Sequence, residues 1–145
     1  TAQMLASSFM ISADNAHAVH PNHPELADAA NAPVLGGGVV LKFNASQRYT
    51  TDGLSAAVLR SVCKKAEVPV QTYYNRADMP GGSTLGNISL CHVSVLTADI
   101  GLPQLAMHSC YESAGVKDAE YLMDVMASYY SQAITCPADG CYEWN

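Results

Sequence analysis

Phe9-Met10-Ile11-Ser12-Ala13-Asp14-Asn15-Ala16-His17-Ala18-Val19-His20-Pro21-Asn22 is the most telling stretch of this 145-residue chain. Its apolar start reads as a buried strand, and open α/β sheets collect ligand-binding groups just beyond the carboxyl ends of their strands. Asp14 falls at that position, and His17 and His20 follow at three-residue intervals. Carboxylate oxygen and imidazole nitrogen are ordinary zinc ligands, so Asp14, His17 and His20 together are a candidate set for one ion. Pro21 argues against that set, because it limits how far a helix could carry the three side chains onto one face. The competing reading is a polar, His-rich loop without a metal.

Outward from this stretch, strands alternate with helices. A strand is expected over 8–13, then a loop over 21–37 rich in Pro, Asn, Ala and Gly that runs into Gly36-Gly37-Gly38. A second strand follows at Val39–Phe43. Asp52 is a good N-cap for a helix over about 53–66, with Leu54, Val58, Leu59 and Val62 at helical spacing and Pro69 stopping its continuation. A third strand over 68–74 is rich in β-branched and aromatic residues. Gly81-Gly82-Ser83-Thr84 leads into a short helix near 84–90, and 93–96 reads as a fourth strand. The closing helix, about 117–132, draws its apolar face from Leu122, Val125, Met126 and Tyr129. This alternation implies an α/β layer sandwich. No internal repeat, low-complexity tract or linker divides it. Thr1-Ala2-Gln3-Met4-Leu5-Ala6-Ser7 looks like the last turns of a helix whose beginning is missing, so the chain is expected to be a fragment.

Composition excludes several classes. The chain is 49% hydrophobic, enough for one core of ordinary domain size. A net charge of −6 and a pI near 5.1 give no electrostatic footprint for nucleic acid. Lys and Arg total 7 and form no run beyond Lys64-Lys65, which disfavours an anionic membrane surface. No apolar stretch approaches the roughly 20 residues of a membrane span, and no signal peptide is visible. A soluble, cytoplasmic protein is expected. Cys63, Cys91, Cys110, Cys136 and Cys141 leave one thiol over in any all-disulfide scheme, as in a reduced compartment. Cys136 and Cys141 read as surface thiols, since no second Cys or His pair stands beside them to complete a metal site.

Four blocks of sequence, in order, resemble the aspartyl aminopeptidase family of dinuclear zinc exopeptidases. They are Ser12 to Pro24; Val39-Val40-Leu41-Lys42-Phe43-Asn44-Ala45-Ser46-Gln47-Arg48-Tyr49; Pro80-Gly81-Gly82-Ser83-Thr84-Leu85-Gly86; and Asp99-Ile100-Gly101-Leu102-Pro103-Gln104-Leu105-Ala106-Met107-His108-Ser109. The resemblance spans residues 8 to about 115, and the closing helix matches in pattern only. It implies a three-layer sandwich of a mixed sheet with helices on both faces, of the zinc-exopeptidase type and present here as a partial domain.

The resemblance also implies residue roles. Asp14 would bind one zinc and His108 the other. As a lone histidine, His108 would otherwise be read as structural. His20 takes the place of the family's transition-state-stabilising histidine. The tetrahedral oxyanion of peptide hydrolysis needs a hydrogen-bond donor or positive charge aimed at it, and an imidazole supplies either near neutral pH. His17 would lie close to the substrate, and bracing Asp14 from outside the ligand set is an equal reading. His23 has no such match and is expected to face solvent.

Lys42 interrupts an apolar strand, where an inward charge is costly unless paired. Strand alternation would turn it to water. The resemblance instead puts it in the pocket for the substrate's first side chain, favouring Asp or Glu. Gly81 and Gly82 would let backbone approach the peptide, or would serve a tight turn. Arg48 and Tyr49 read as braces of the loop after the strand, and the match over 75–79 is loose.

A dinuclear aminopeptidase also needs a bridging carboxylate, further terminal ligands and a Glu as general base on metal-bound water. Glu25, Glu67, Asp78, Glu112 and Asp118 occur in no matching motif. Residues 1–145 are therefore expected to be the carboxyl-terminal part of a metalloaminopeptidase catalytic domain, completed by another part of the same gene product. The implied protein takes two zinc ions per complete site, acts on peptides, preferably those beginning with Asp or Glu, and forms a homo-oligomer. The alternatives are a neutral or basic preference within the family, and a noncatalytic peptide-binding or assembly module. The presence of Asp14, His20 and His108 disfavours the last.

Overall fold

The structure, a computed structural model, describes residues 2–144. Its elements in chain order are α1 (Ala2–Ala6), β1 (Phe9–Ala13), β2 (Ala16–His17), a 3₁₀ turn (Pro24–Leu26), β3 (Val39–Phe43), α2 (Gly53–Lys65), β4 (Val70–Tyr74), α3 (Leu85–Leu90), β5 (Leu96–Gly101), β6 (Pro103–Leu105), β7 (Ser113–Ala114), α4 (Val116–Tyr130), β8 (Ile134–Ala138) and β9 (Cys141–Trp144). Thr1, the first residue of the expected helix end, lies outside the described residues.

The main sheet has the order β1-β5-β3-β4. β1 runs parallel to β5, β3 parallel to β4, and β3 antiparallel to β5, so the sheet is mixed. Side chains alternate across it. Val39 and Leu41 of β3 share one face with Phe9, Ala98 and Ile100, and α2 (Val58, Leu59, Val62, Cys63) and α4 (Val125) pack against them. Complete burial of a Leu or Val side chain contributes roughly 1.5–3 kcal/mol relative to exposure, so this layer supplies most of the cohesion. α3 covers the opposite face: a Cβ added to Gly86 would stand 2.8 Å from the Asp99 carboxylate. Helices on both faces of a mixed sheet make the three layers that the sequence implied.

Local signals place the helices. Asp52 caps α2, its carboxylate accepting from the Ser55 amide at 2.7 Å, while the Ser55 hydroxyl accepts from the Asp52 amide at 2.9 Å. Such a reciprocal cap contributes about 1 kcal/mol. At the other end Glu67 sits in the left-handed region (φ 56°) and the Val68 amide donates to the Cys63 carbonyl. The chain is still leaving the helix there, so the third strand begins at Val70 rather than at 68. The glycine loop is fixed by Asp118 in the first turn of α4: its buried carboxylate accepts from the amides of Gly36 (2.7 Å) and Gly38 (3.0 Å).

Two departures from expectation matter. The fourth strand runs Leu96–Gly101, not 93–96. Asp99 interrupts its apolar pattern, yet that carboxylate is buried and hydrogen-bonded, so the strand continues through it. Two small sheets were also not foreseen, β2-β6-β7 and the β8-β9 hairpin. The five cysteines are all free.

Candidate active site

β1 and β5 run parallel and leave the main sheet at the same end, and their continuations β2 and β6 pair again in parallel. Gly101 makes the crossing possible, since a Cβ there would stand 1.8 Å from the Asp14 carbonyl oxygen. Asp14 begins the connection, its amide donating to the Ile100 carbonyl at 2.9 Å. Asn15 then locks it: its side-chain amide donates to the buried Gln104 on β6. β6 returns to β7 through residues 106–112, the loop that carries His108. Asp14, His17 and the His108 loop thus emerge at one end of the sheet.

The His108 loop is held under strain. Ala106 (φ 54°) and His108 (φ 68°) both occupy the left-handed region, which costs non-glycine residues energy and concentrates at functional sites. The His108 amide donates to the Glu112 carboxylate, and the Ser109 amide to the Ala106 carbonyl at 3.0 Å.

His17 is exposed overall, yet partial desolvation is the largest influence on its ring. Together with the charges of His108 and Lys42, it holds the imidazole below its usual pKa and favours the neutral form. His20 is also exposed; its Nδ1 accepts from the Asn22 amide at 3.2 Å. His23 is exposed as expected, 3.0 Å from Glu25, and its ring lies 5.4 Å from that of His20 between centroids.

Lys42 does not turn outward to water. It is 1% exposed, its Nζ donates to the Asp14 carbonyl at 3.1 Å, and it stands 5.1 Å from the centroid of the Tyr49 ring. Burial lowers its pKa, and the carboxylates of Asp14 and Asp99 partly offset that. Asp99 is itself fully buried and accepts from the Thr50 amide (2.6 Å) and from the hydroxyls of Thr50 and Thr84 (2.8 Å each). Thr84 stands at the N-cap of α3 but spends its hydroxyl on Asp99, tying the Gly81-Gly82 loop to the sheet. Gly81 lies close under the Asn44 side chain, where a Cβ would stand 2.7 Å from Nδ2 and displace it; Gly82 has open space around it.

Sequence reasoning missed Asp99, whose signal was a charge inside a strand, and Arg76. The Arg76 guanidinium engages the Asp78 carboxylate, at 2.8 Å through one terminal nitrogen, and donates to the Glu25 carbonyl across 51 residues of sequence. This clasp and the histidines His17, His20 and His23 border a cavity of about 300 Å³.

Among the described residues no group of three His, Cys, Asp or Glu side chains could hold a metal ion. The single-ion set of Asp14, His17 and His20 is therefore not assembled. The donor types nevertheless suit zinc: a carboxylate and imidazoles stand at one end of the sheet, and the buried Ser12 hydroxyl, two residues before Asp14, has no hydrogen-bond partner.

The sequence model of a family described as aminopeptidase I zinc metalloprotease (M18) matches residues 1–130. A probable M18 family aminopeptidase 2 of Clostridium novyi (strain NT) is 50% identical over 127 residues, covering 88% of this chain and 29% of that protein. Among solved structures, a chain in the cryo-EM structure of the Ape4 and Nbr1 complex superposes with TM-score 0.85 at 42% identity, covering 87% of this chain and 24% of its own length. The S. cerevisiae mApe1 dodecamer gives 0.78 at 25% identity, covering 88% of this chain and 27% of the matched one. The chain therefore spans under a third of the length of the relatives it matches.

Proposed function

This chain belongs to the aminopeptidase I (M18) family of zinc metalloproteases, and from that premise we propose that it forms the carboxyl-terminal part of a catalytic domain that removes amino-terminal residues from cytoplasmic peptides. The observation that carries this reading is the gathering of Asp14, His17, Lys42 and the His108 loop at one end of the sheet. Asp14 and His108 each hold one of two zinc ions, with the remaining ligands and the general base supplied from outside these residues. Zinc held there would supply Lewis-acid chemistry for peptide hydrolysis, polarising a carbonyl and activating water. His20 donates to the oxyanion that forms on that carbonyl. His17, kept neutral, lines the approach of the substrate.

Lys42 selects the first side chain. An ammonium has three donors and Asp14 engages one. Desolvation already disfavours its charge, so a substrate carboxylate entering beside it restores a partner and stabilises the ion. This favours amino-terminal Asp or Glu over neutral residues. The matched chain in a dodecamer supports assembly as a homo-oligomer.

The test uses the full-length, zinc-loaded protein on peptides differing only in the first residue. Hydrolysis should vanish on chelation and return with zinc. Lys42→Met keeps the length of the side chain and deletes the charge. It should lower kcat/KM for Asp and Glu peptides at least about tenfold, roughly 1.4 kcal/mol, and leave neutral peptides little changed. Equal losses on both classes would make Lys42 structural and remove the acidic preference.

A further inference from the structure

We propose that the cavity beside His17 and His20 is a subsite for an apolar side chain of the substrate's second residue, the one that follows the bond being cut. Apart from His17, His20 and His23, and Asn75 and Arg76 at one side, its walls are apolar and aromatic, with Leu26, Pro33, Tyr73, Tyr74 and Met79 the largest. Leu26 and Met79 are 50% and 42% exposed, apolar groups left in water at its rim. The one guanidinium that borders it, Arg76, is already neutralised by the Asp78 carboxylate and tethered to the Glu25 carbonyl. Its role is to hold the turn bearing Leu26 against the loop bearing Met79, and it offers little charge to a ligand. A cationic side chain entering here would lose water and find no carboxylate in the lining, whereas an aliphatic or aromatic one would bury surface against five apolar groups.

The position along the substrate follows from which functional residues the cavity touches. On the reading above, Lys42 meets the first side chain and His20 meets the carbonyl that is cut. The cavity borders His20, and Lys42 is not part of its lining. The side chain that fills it therefore belongs beyond the scissile bond. Its volume of about 300 Å³ accommodates Leu or Phe.

This inference rests on the aminopeptidase reading, and one experiment separates the two. The full-length, zinc-loaded protein is assayed on the series Asp-X-Gly-Gly with X as Ala, Leu, Phe, Asp or Lys, and on Ala-Leu-Gly-Gly. Leu and Phe should exceed Ala in kcat/KM by about tenfold or more, with Lys below Ala. Met79→Glu, and independently Leu26→Glu, should raise the Lys-to-Leu ratio at X by about tenfold while the ratio of Asp-Leu to Ala-Leu peptides stays the same. Both positions are solvent-exposed, so these variants test the rim without burying a charge in the core. Zinc-dependent hydrolysis with a flat profile across X would overturn the subsite alone, as would a change confined to first-residue preference in both variants. Absence of hydrolysis in every peptide, with zinc bound, would overturn the aminopeptidase reading and the subsite with it.

Discussion

The two faces of the main sheet are built from alternate residues of the same strands, yet they obey different rules. Under α2 and α4, the strands present Val39, Leu41, Ala98 and Ile100, all fully buried and all apolar. On the other face the same strands bury Lys42, Thr97, Asp99 and Ser12 beside Val40, which packs with Ala16, Tyr49 and Tyr73. Buried charges are weak contributors to stability, because desolvation offsets most of their attraction. The first face holds the fold, and on the proposed function the second carries the site at the sheet's end. Substitutions on the two faces should therefore separate stability from activity.

The largest stability effect is expected on the helical face. Leu59→Ala removes a fully buried side chain at the α2–sheet contact and should cost about 2–5 kcal/mol, read as a lowered denaturation midpoint. A loss below about 1 kcal/mol would mean that this face is not the cohesive one. His20→Ala, at the exposed site, should leave the midpoint unchanged and lower kcat about 100- to 1000-fold, the usual effect of losing one oxyanion donor. A loss of only a few-fold would make His20 peripheral.

A smaller effect sharpens the contrast through pH. Burial in the apolar face pushes the Cys63 thiol up to about 11 from 9.0. The unfolded chain then loses this proton first as pH rises, so the contribution of Cys63 to stability is intact below about pH 9 and fades toward pH 11. At pH 8 iodoacetamide should label exposed Cys91, Cys110 and Cys141 in the native protein and Cys63 only after unfolding. Native labelling of Cys63 at a comparable rate would show that the face opens.

The legibility of the sequence follows the same division. Val39–Phe43, the Asp52 cap and the Leu59 stripe could be read because periodicity and capping are local rules. β5 was misplaced, and the charge of Asp99 inside it gives no local strand signal: its carboxylate is satisfied only when the fold brings Thr50 and Thr84 to it. β2, β6 and β7, of two or three residues each, are too short to show a period, although they carry His17 and lead to His108. The β8-β9 hairpin did carry a local sign, Asp139-Gly140, with Gly140 at φ 70°. Asp14, His17 and His20 were singled out by their spacing beyond a strand, whereas their separate roles, the choice of His108 and the substrate role of Lys42 came from resemblance of ordered motifs. The Arg76 clasp and the Asp118 anchor join segments 51 and 80 or more residues apart and have no local signature.

The central claim is that Asp14 and His108, brought to one end of the sheet by β1 and by the β6–β7 loop, each hold a different zinc ion. The direct measurement is zinc per protomer, by elemental analysis, in the full-length protein and in its Asp14→Ala and His108→Ala variants, each checked for an unchanged denaturation midpoint. The account predicts about two zinc ions in the parent protein and a loss of at least one in either variant, with most hydrolysis gone. Zinc content unchanged in both folded variants would contradict it.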